Sequence, residues 1–301
     1  MRHLFIINRH AGSQSCEYQV LDAIHSLMTA IDYDIYVKQR KGDSEELVRE
    51  YRRQYPNEEL RVYACGGDGT LSEVAGAMVG VENIAFTSLP FGSGNDYIKY
   101  YGTLHNFRNL DRLVHGTVVP IDIMKVNDKY ALNATHFGLD YKVACTMHRL
   151  RRNILVGKQL CYPSAITWVF LTGMTAHCQV IADGIPLNEY GSILLCTIAN
   201  GRYVGGSYCC APLSCNDDGW LEVCLIKPVS RWKILQLINA YKRGEHLNDI
   251  RFEPYVTYRR AKNIVIKSDD VRFGIALDGE TVQGNRFTVD VLHHAVRFIV
   301  P

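Results

Sequence analysis

An α/β nucleotide-binding domain with an open, mainly parallel sheet, followed by an antiparallel β-sandwich domain, is the architecture this sequence predicts. Three observations predict it. The first third alternates apolar strand-like runs with helical periodicity. Glycine-rich turns at residues 66–69 and 92–96 each follow one of those strands. From about Ile121 onward, short β-rich runs bounded by Gly, Asn and Asp succeed one another with few helical windows. A chain of 301 residues is long enough for two such units.

Taken in order, Leu4, Phe5, Ile6 and Ile7 form a buried-strand run that ends in Asn8-Arg9-His10-Ala11-Gly12. Val20, Ile24, Leu27 and Met28 recur at helical spacing, and a strand follows near residues 34–37. Asp43 and Glu46 frame the start of a helix carrying Leu47, Val48 and Tyr51 on one face. The strand 61–65 runs into Gly66-Gly67-Asp68-Gly69, after which Thr70 and Glu73 have capping-box spacing. Residues 84–89 form the next strand, leading into Gly92-Ser93-Gly94-Asn95-Asp96. This βαβαβ rhythm places ligands at the carboxyl ends of parallel strands. The texture changes near Pro120-Ile121-Asp122. Beyond it, strands are expected at 193–198, 221–226, 264–266 and 286–291, with helical windows at 149–174 and 232–243.

The first glycine turn limits the function most. A glycine turn between a strand and a helix lets backbone N–H groups approach an anion, and the helix dipole favours negative charge there. Asp68 within it would repel a bare phosphate, so the turn points to a metal-nucleotide site. A second Asp-bearing glycine turn at the neighbouring strand end converges on the same crevice. Read singly, Asp278-Gly279-Glu280, residues 200–206 and residues 216–219 are turns between strands.

Composition excludes other classes. A net charge of +2 gives no field for nucleic acid. Ten cysteines without C-x-x-C or zinc-finger spacing read as reduced thiols in a cytoplasmic protein, since residues 1–5 begin a strand rather than a leader. His293-His294 and Cys209-Cys210 read as structural. The longest nearly apolar stretch, residues 164–176, is about thirteen residues, short of the ~20 a membrane span needs, so any membrane contact is peripheral.

Taken together, these motifs resemble the diacylglycerol kinase catalytic-domain lipid kinases, the family that includes bacterial soluble diacylglycerol kinases and sphingosine kinases. The resemblance rests on G-G-D-G-T-L at 66–71, P-F-G-S-G-N-D at 90–96 and the I-D-I-M-K-V-N run through Asp122. It continues with A-N-G-R-Y-V-G-G at 199–206, D-D-G-W-L-E-V at 217–223 and L-D-G-E at 277–280, and so covers nearly the whole chain. NAD kinases and phosphofructokinases share only the G-G-D-G turn.

The resemblance implies an ATP- and Mg²⁺-dependent transfer of phosphate to a lipid hydroxyl, with diacylglycerol the default acceptor. It implies that ATP lies against Asn8, Arg9, His10, Ala11 and Gly12, against Gly66, Gly67, Asp68, Gly69, Thr70, Leu71 and Ser72, and near Ser93 and Asn95. Glu280 matches the general base and Asp68 a catalytic carboxylate. Asp218, with the backbone carbonyls of Cys215 and Trp220, matches a structural magnesium site; Asp68, Asp96 and Asp122 match positions that reach the nucleotide's magnesium through water. Ser13 stands where the family often has a basic residue, and Arg9 or Lys38 is the candidate replacement. By the same resemblance the C-terminal segment rejoins the first domain, giving residues 1–121 plus 291–301 as the ATP-binding domain and 122–290 as the lipid-substrate domain. A homodimer is compatible with the family.

A lipid kinase must reach a bilayer. Arg149, Arg151, Arg152 and Lys158 precede the apolar segment 162–174, which holds Trp168 and Phe170. Two readings stay open: a basic cluster on an anionic membrane surface, or a helix buried against the sandwich with its arginines in water. Two rival functions also remain, a soluble-substrate kinase of the NAD kinase type and a non-catalytic nucleotide-binding regulator.

Overall fold

The computed structural model describes residues 1–9, 11, 16–151 and 161–301. His10, Gly12 and Ser13 of the first loop, and Arg152 and Lys158 of the basic cluster, lie outside the described residues. The amino-terminal part alternates β1 (Arg2–Ile7), α1 (Cys16–His25), β2 (Tyr33–Val37), α2 (Asp43–Gln54), β3 (Leu60–Gly66), α3 (Asp68–Met78) and β4 (Ile84–Pro90). β1 and β3 are apolar almost throughout because helices cover both faces. Val20 and Ile24 of α1, Val48 and Tyr51 of α2, and Leu71, Val74, Ala75 and Met78 of α3 bury their helical faces in one core. The strands run in the order β2-β1-β3-β4, all parallel. Order reverses between β1 and β3, so a crevice opens at their carboxyl ends. Asn8 and the 66–69 turn lie at that point.

Beyond β4 the sheet does not stop. The C-terminal strand Arg286–Val300 is 15 residues long and pairs in parallel with β4 through Phe298 and Phe86. It pairs antiparallel with β5 (Thr117–Val126) and with Asn263–Lys267, so one 11-stranded sheet continues from the α/β part into the sandwich. Its register shifts between Leu292 and Val296, where His294 has φ 51°. The second sheet has six strands, all antiparallel, in the order Val256–Ala261, Leu221–Ile226, Leu195–Ala199, Ala134–Gly138, Gly274–Leu277 and Glu280–Gln283. Phe137, Val180, Ile198, Val223, Ile264 and Val289 fill the space between the two sheets. The fold is therefore α/β plus β, as the sequence predicts.

Helices form at Cys161–Thr172 and Arg231–Lys242 within the predicted windows, and at Leu139–Arg151, which begins ten residues before the first window; residues 152–160 of that window lie outside the described residues. In the first of these, Cys161, Ala165 and Val169 are buried while Trp168 and Leu171 are exposed. One local expectation fails. α3 starts at Asp68 after Gly67 with no side-chain cap bond, and Glu73 does not turn back to cap it. Glu73 instead accepts from Ser44 Oγ at 2.6 Å and pairs with Lys38 across the α2–α3 contact. A buried cation within reach outcompetes the local capping bond.

Candidate active site

The two glycine turns meet backbone to backbone. β3 and β4 are in register from Leu60/Ile84 to Gly66/Pro90, so both turns leave the sheet at the same height. Phe91 N and Gly92 N both donate to Gly66 O. A Cβ on Gly92 would lie 2.5 Å from the Cα of Gly67, and one on Gly66 would strike Thr70 Oγ1 at 2.4 Å. Glycine is required here by close approach. Gly92→Ala should cost about 1–3 kcal/mol through overpacking and splay the turns apart. Thermal melting of the purified variant against the parent checks this, with a lowered Tm as the expected outcome.

Two carboxylates face each other across this junction. Asp68 Oδ1 accepts from Asp96 N at 2.6 Å and Tyr97 N at 3.4 Å, which fixes the second turn on the first residue of α3. Asp68 Oδ2 and Asp96 Oδ2 lie 2.9 and 3.3 Å from the point a Cβ on Gly94 would occupy. Burial, then the neighbouring Asp96 charge, pushes the Asp68 carboxyl up to about 6. Asp96 is buried and matched by Lys99 at 2.5 Å and Gly206 N at 2.8 Å. Among the described residues, Asp68 has no cationic partner. A buried carboxylate in that position suits a hard divalent cation.

A third element closes the crevice from the sandwich side. Asp278 (φ 43°) and Gly279 (φ 91°) form the tight turn between Gly274–Leu277 and Glu280–Gln283. Asp278 accepts from Leu132 N at 2.7 Å, Ala134 N at 2.8 Å and Ser72 Oγ at 2.6 Å, so its carboxylate is an anchor between α3 and the second sheet. Its carbonyl oxygen lies 3.9 Å from a Cβ placed on Gly69. Asp278 and Gly279 therefore reach the cavity that Asp68 lines, while Glu280, the next residue, stands outside its lining. The half-buried Glu280 carboxylate pairs with Lys41 at 2.7 Å and Lys129 at 3.8 Å. The cavity has a volume of about 880 Å³. Asp68, Ser93, Asp96, Asp278 and Gly279 form its polar end. The rest is mostly apolar, from Leu139 and Met147 through Phe170 and Leu195 to Ile238 and Phe252.

The matches with known proteins agree with this layout. Residues 2–126 match the model of the diacylglycerol kinase catalytic domain, and residues 133–300 match that of the YegS C-terminal NAD kinase beta sandwich-like domain. The chain belongs to the diacylglycerol kinase catalytic-domain family of lipid kinases. It is 26% identical over 310 residues to a Yersinia enterocolitica protein named "Probable lipid kinase YegS-like", covering 99% of this chain and 96% of that one. It is 26% identical over 232 residues to the diacylglycerol kinase of Bacillus subtilis, covering 73% and 70%. A diacylglycerol kinase structure from Bacillus anthracis superimposes with a TM-score of 0.67 at 20% identity, covering 100% and 97%, and shares the fold.

Measured against the family's site, the structure brings some expected residues together and spends others on scaffolding. Asp68, Ser93 and Asp96 reach the cavity wall. Asn95 (φ 47°) braces its own turn by bonding Gly92 O at 2.6 Å. Asn8 N donates to Cys65 O, and Asn8 Nδ2 donates to Thr70 Oγ1, tying the β1 loop and its Ala11 to α3. Leu71 is core, and Ser72 serves Asp278. Arg9 is exposed and pairs with Glu17 at 3.1 Å, whereas Lys38 is buried between Glu73 and Asp43.

Asp122 is fully buried outside the cavity wall. It accepts from Gly219 N at 2.6 Å and His294 N at 2.8 Å, with His293 Nδ1 at 2.8 Å. It thus anchors the 216–219 loop to the C-terminal strand. In that loop Asp218 takes Trp220 N at 3.0 Å and pairs with Arg260. Cys215 Sγ lies 2.9 Å from Asp217 Oδ1. A cation bound through Asp218 would share that carboxylate with the Arg260 guanidinium.

The sequence reading missed Lys99, Lys41 and Asp278. Lys99 follows Asp96 at i+3, a legible signal once Asp96 opens a helical turn. Lys41 and the anchoring bonds of Asp278 depend on long-range contact and leave no local trace.

Proposed function

We propose that this chain transfers the γ-phosphoryl group of ATP, with Mg²⁺, to the hydroxyl of a membrane lipid, diacylglycerol being the default acceptor and phosphatidic acid its product. The observation that carries the reading is the 880 Å³ cavity, whose apolar length ends at two Asp-bearing glycine turns and at Asp278 and Gly279. A soluble acceptor of the NAD kinase type has no use for a lining of Leu, Ile, Phe and Met side chains. Membership of a lipid-kinase family supports a lipid as the acceptor.

The nucleotide would lie over the start of α3, against Asn8, Gly66–Gly69 backbone and Ser93. There the Asp68 and Gly69 amides precede the first helical bonds, which Thr70 N and Leu71 N make to Gly67 O. Asp68 and Asp96 are the residues that would hold the metal side of the nucleotide, directly or through water. A divalent cation there supplies neutralisation of the charge on the transferred group. Glu280 would accept a hydrogen bond from the acceptor hydroxyl, orient it, and take its proton late in the transfer. Asp278 and Ser72 position Glu280 by locking its turn onto α3. At residues 215–220, Asp218 with the Cys215 and Trp220 carbonyls would hold a second cation, which would compete with Arg260 for the Asp218 carboxylate.

Incubation with γ-labelled ATP, Mg²⁺ and a total lipid extract should put label into a lipid phosphate extractable into chloroform. Label on NAD alone, or none with bound ATP intact, overturns the reading in favour of a soluble-substrate kinase or a non-catalytic regulator.

A further inference from the structure

Two short helices form the rim of the cavity, and their outer face is apolar. Trp168 and Leu171 on Cys161–Thr172 are 59% and 67% exposed; Trp232 and Leu235 on Arg231–Lys242 are 77% and 55% exposed. The helices are tied together where the first ends. Arg231 Nε donates to Phe170 O at 2.7 Å, and its other nitrogen donates to Leu171 O at 3.1 Å. Ile166 and Leu235 are exposed and also line the cavity, so the outer apolar face is continuous with the inner one. Large apolar side chains gathered on one surface mark a place where something docks.

Charge and length select the occupant. Residues 161–176 carry no charged side chain, while residues 227–243 carry Lys227, Arg231, Lys233, Lys242 and Arg243 and no Asp or Glu. Two tryptophans beside leucines, with cations in excess at their edge, match the boundary between anionic headgroups and acyl chains. Of those cations only Arg243 is ion-paired among the described residues, to Glu245. A second copy of the chain docking through the same patch would bring five cations against five. Each helix has 12 residues, and no helix among the described residues is long and apolar enough to cross a membrane, so the pair lies on the surface.

We propose that the outer face of these two helices docks on an anionic phospholipid bilayer, with Trp168 and Trp232 in the interface and the gap at Ile166 and Leu235 as the entrance through which a lipid passes into the cavity. This rests on the lipid-kinase reading for its purpose, but the docking itself can be measured without turnover. The contact assigned here differs from the basic cluster 149–158, because it adds Arg231–Lys242, which no membrane pattern in the sequence flagged.

The test uses the full chain and vesicles of phosphatidylcholine and phosphatidylglycerol doped with brominated phosphatidylcholine. Tryptophan emission should shift to the blue and be quenched. Trp168→Ser/Trp232→Ser should lose most of the quenching, leaving Trp220, and partition at least 10-fold more weakly at low salt. The double variant should keep the parent's turnover of a monomeric short-chain diacylglycerol and lose turnover of vesicle-embedded diacylglycerol. Unquenched emission in the parent, or unchanged partition of the variant, overturns the proposal. So does a parent dimer that the double variant converts to monomer, which would show a second copy covering the face. Vesicle binding with no turnover of either lipid would sink the lipid-kinase reading and leave the docking surface standing.

Discussion

Asp68→Asn should abolish lipid phosphorylation and at the same time raise the melting temperature of the ligand-free protein at pH 7.5. The Asp68 carboxyl sits at about 6 because burial and Asp96 disfavour its charge. In the unfolded chain it returns to about 3.9. Between those two values the folded state binds more protons than the unfolded one, so stability falls as pH rises through the window. Above pH 6 the penalty is complete, and its size is about 3 kcal/mol. Asparagine keeps an Oδ1 for the amides of Asp96 and Tyr97 and carries no charge. The variant should therefore melt a few degrees higher at pH 7.5 and level with the parent below pH 4. Melting curves at the two pH values, with a phosphorylation assay beside them, check this. A variant that melts no higher at pH 7.5, or still phosphorylates lipid, overturns the role given to Asp68.

Glu280→Gln should lower phosphoryl transfer by about 10²-fold or more while leaving ATP binding and folding intact. The two ion pairs it gives up, to Lys41 and Lys129, are solvent-facing: Glu280 is 34% exposed and its partners more so. Such pairs contribute about 1 kcal/mol at most, so the melting temperature should barely move. The turn that carries residue 280 is held by Asp278, not by its own side chain, and glutamine has the same shape. Single-turnover kinetics with a fluorescent ATP analogue separate binding from transfer. Transfer at the parent's rate would remove Glu280 from the chemistry.

What could be read from the chain beforehand was whatever is encoded over a few neighbouring residues. The βαβαβ order and the two glycine turns are local patterns, and so was the prediction that Asp68 and Asp96 share a crevice, since parallel strands in register deliver adjacent loops to one edge. Contacts between distant segments were not legible. Asp278 bonding Leu132 N across 146 positions turns an apparent hairpin residue into the clamp between α3 and the sandwich. Lys38, a candidate for the nucleotide's cation, is held by Glu73, the residue read as the α3 cap. One buried pair thus removed two expectations. In the helix Cys161–Thr172 the composition admitted both a buried and a membrane-facing reading. The structure divides the helix, with Ala165 and Val169 inward and Trp168 and Leu171 outward.

The strand Arg286–Val300 gives the molecule a mechanical property. Because one ribbon is hydrogen-bonded to β4 at one end and to Asn263–Lys267 at the other, the α/β part and the sandwich share a backbone spine rather than a tether. A narrowing of the crevice would bend that ribbon, and its ladder is interrupted at the register shift between Leu292 and Val296. That place is also where His293 and His294 hold Asp122. A bend there would reach the 216–219 loop, because Asp122 also accepts from Gly219 N.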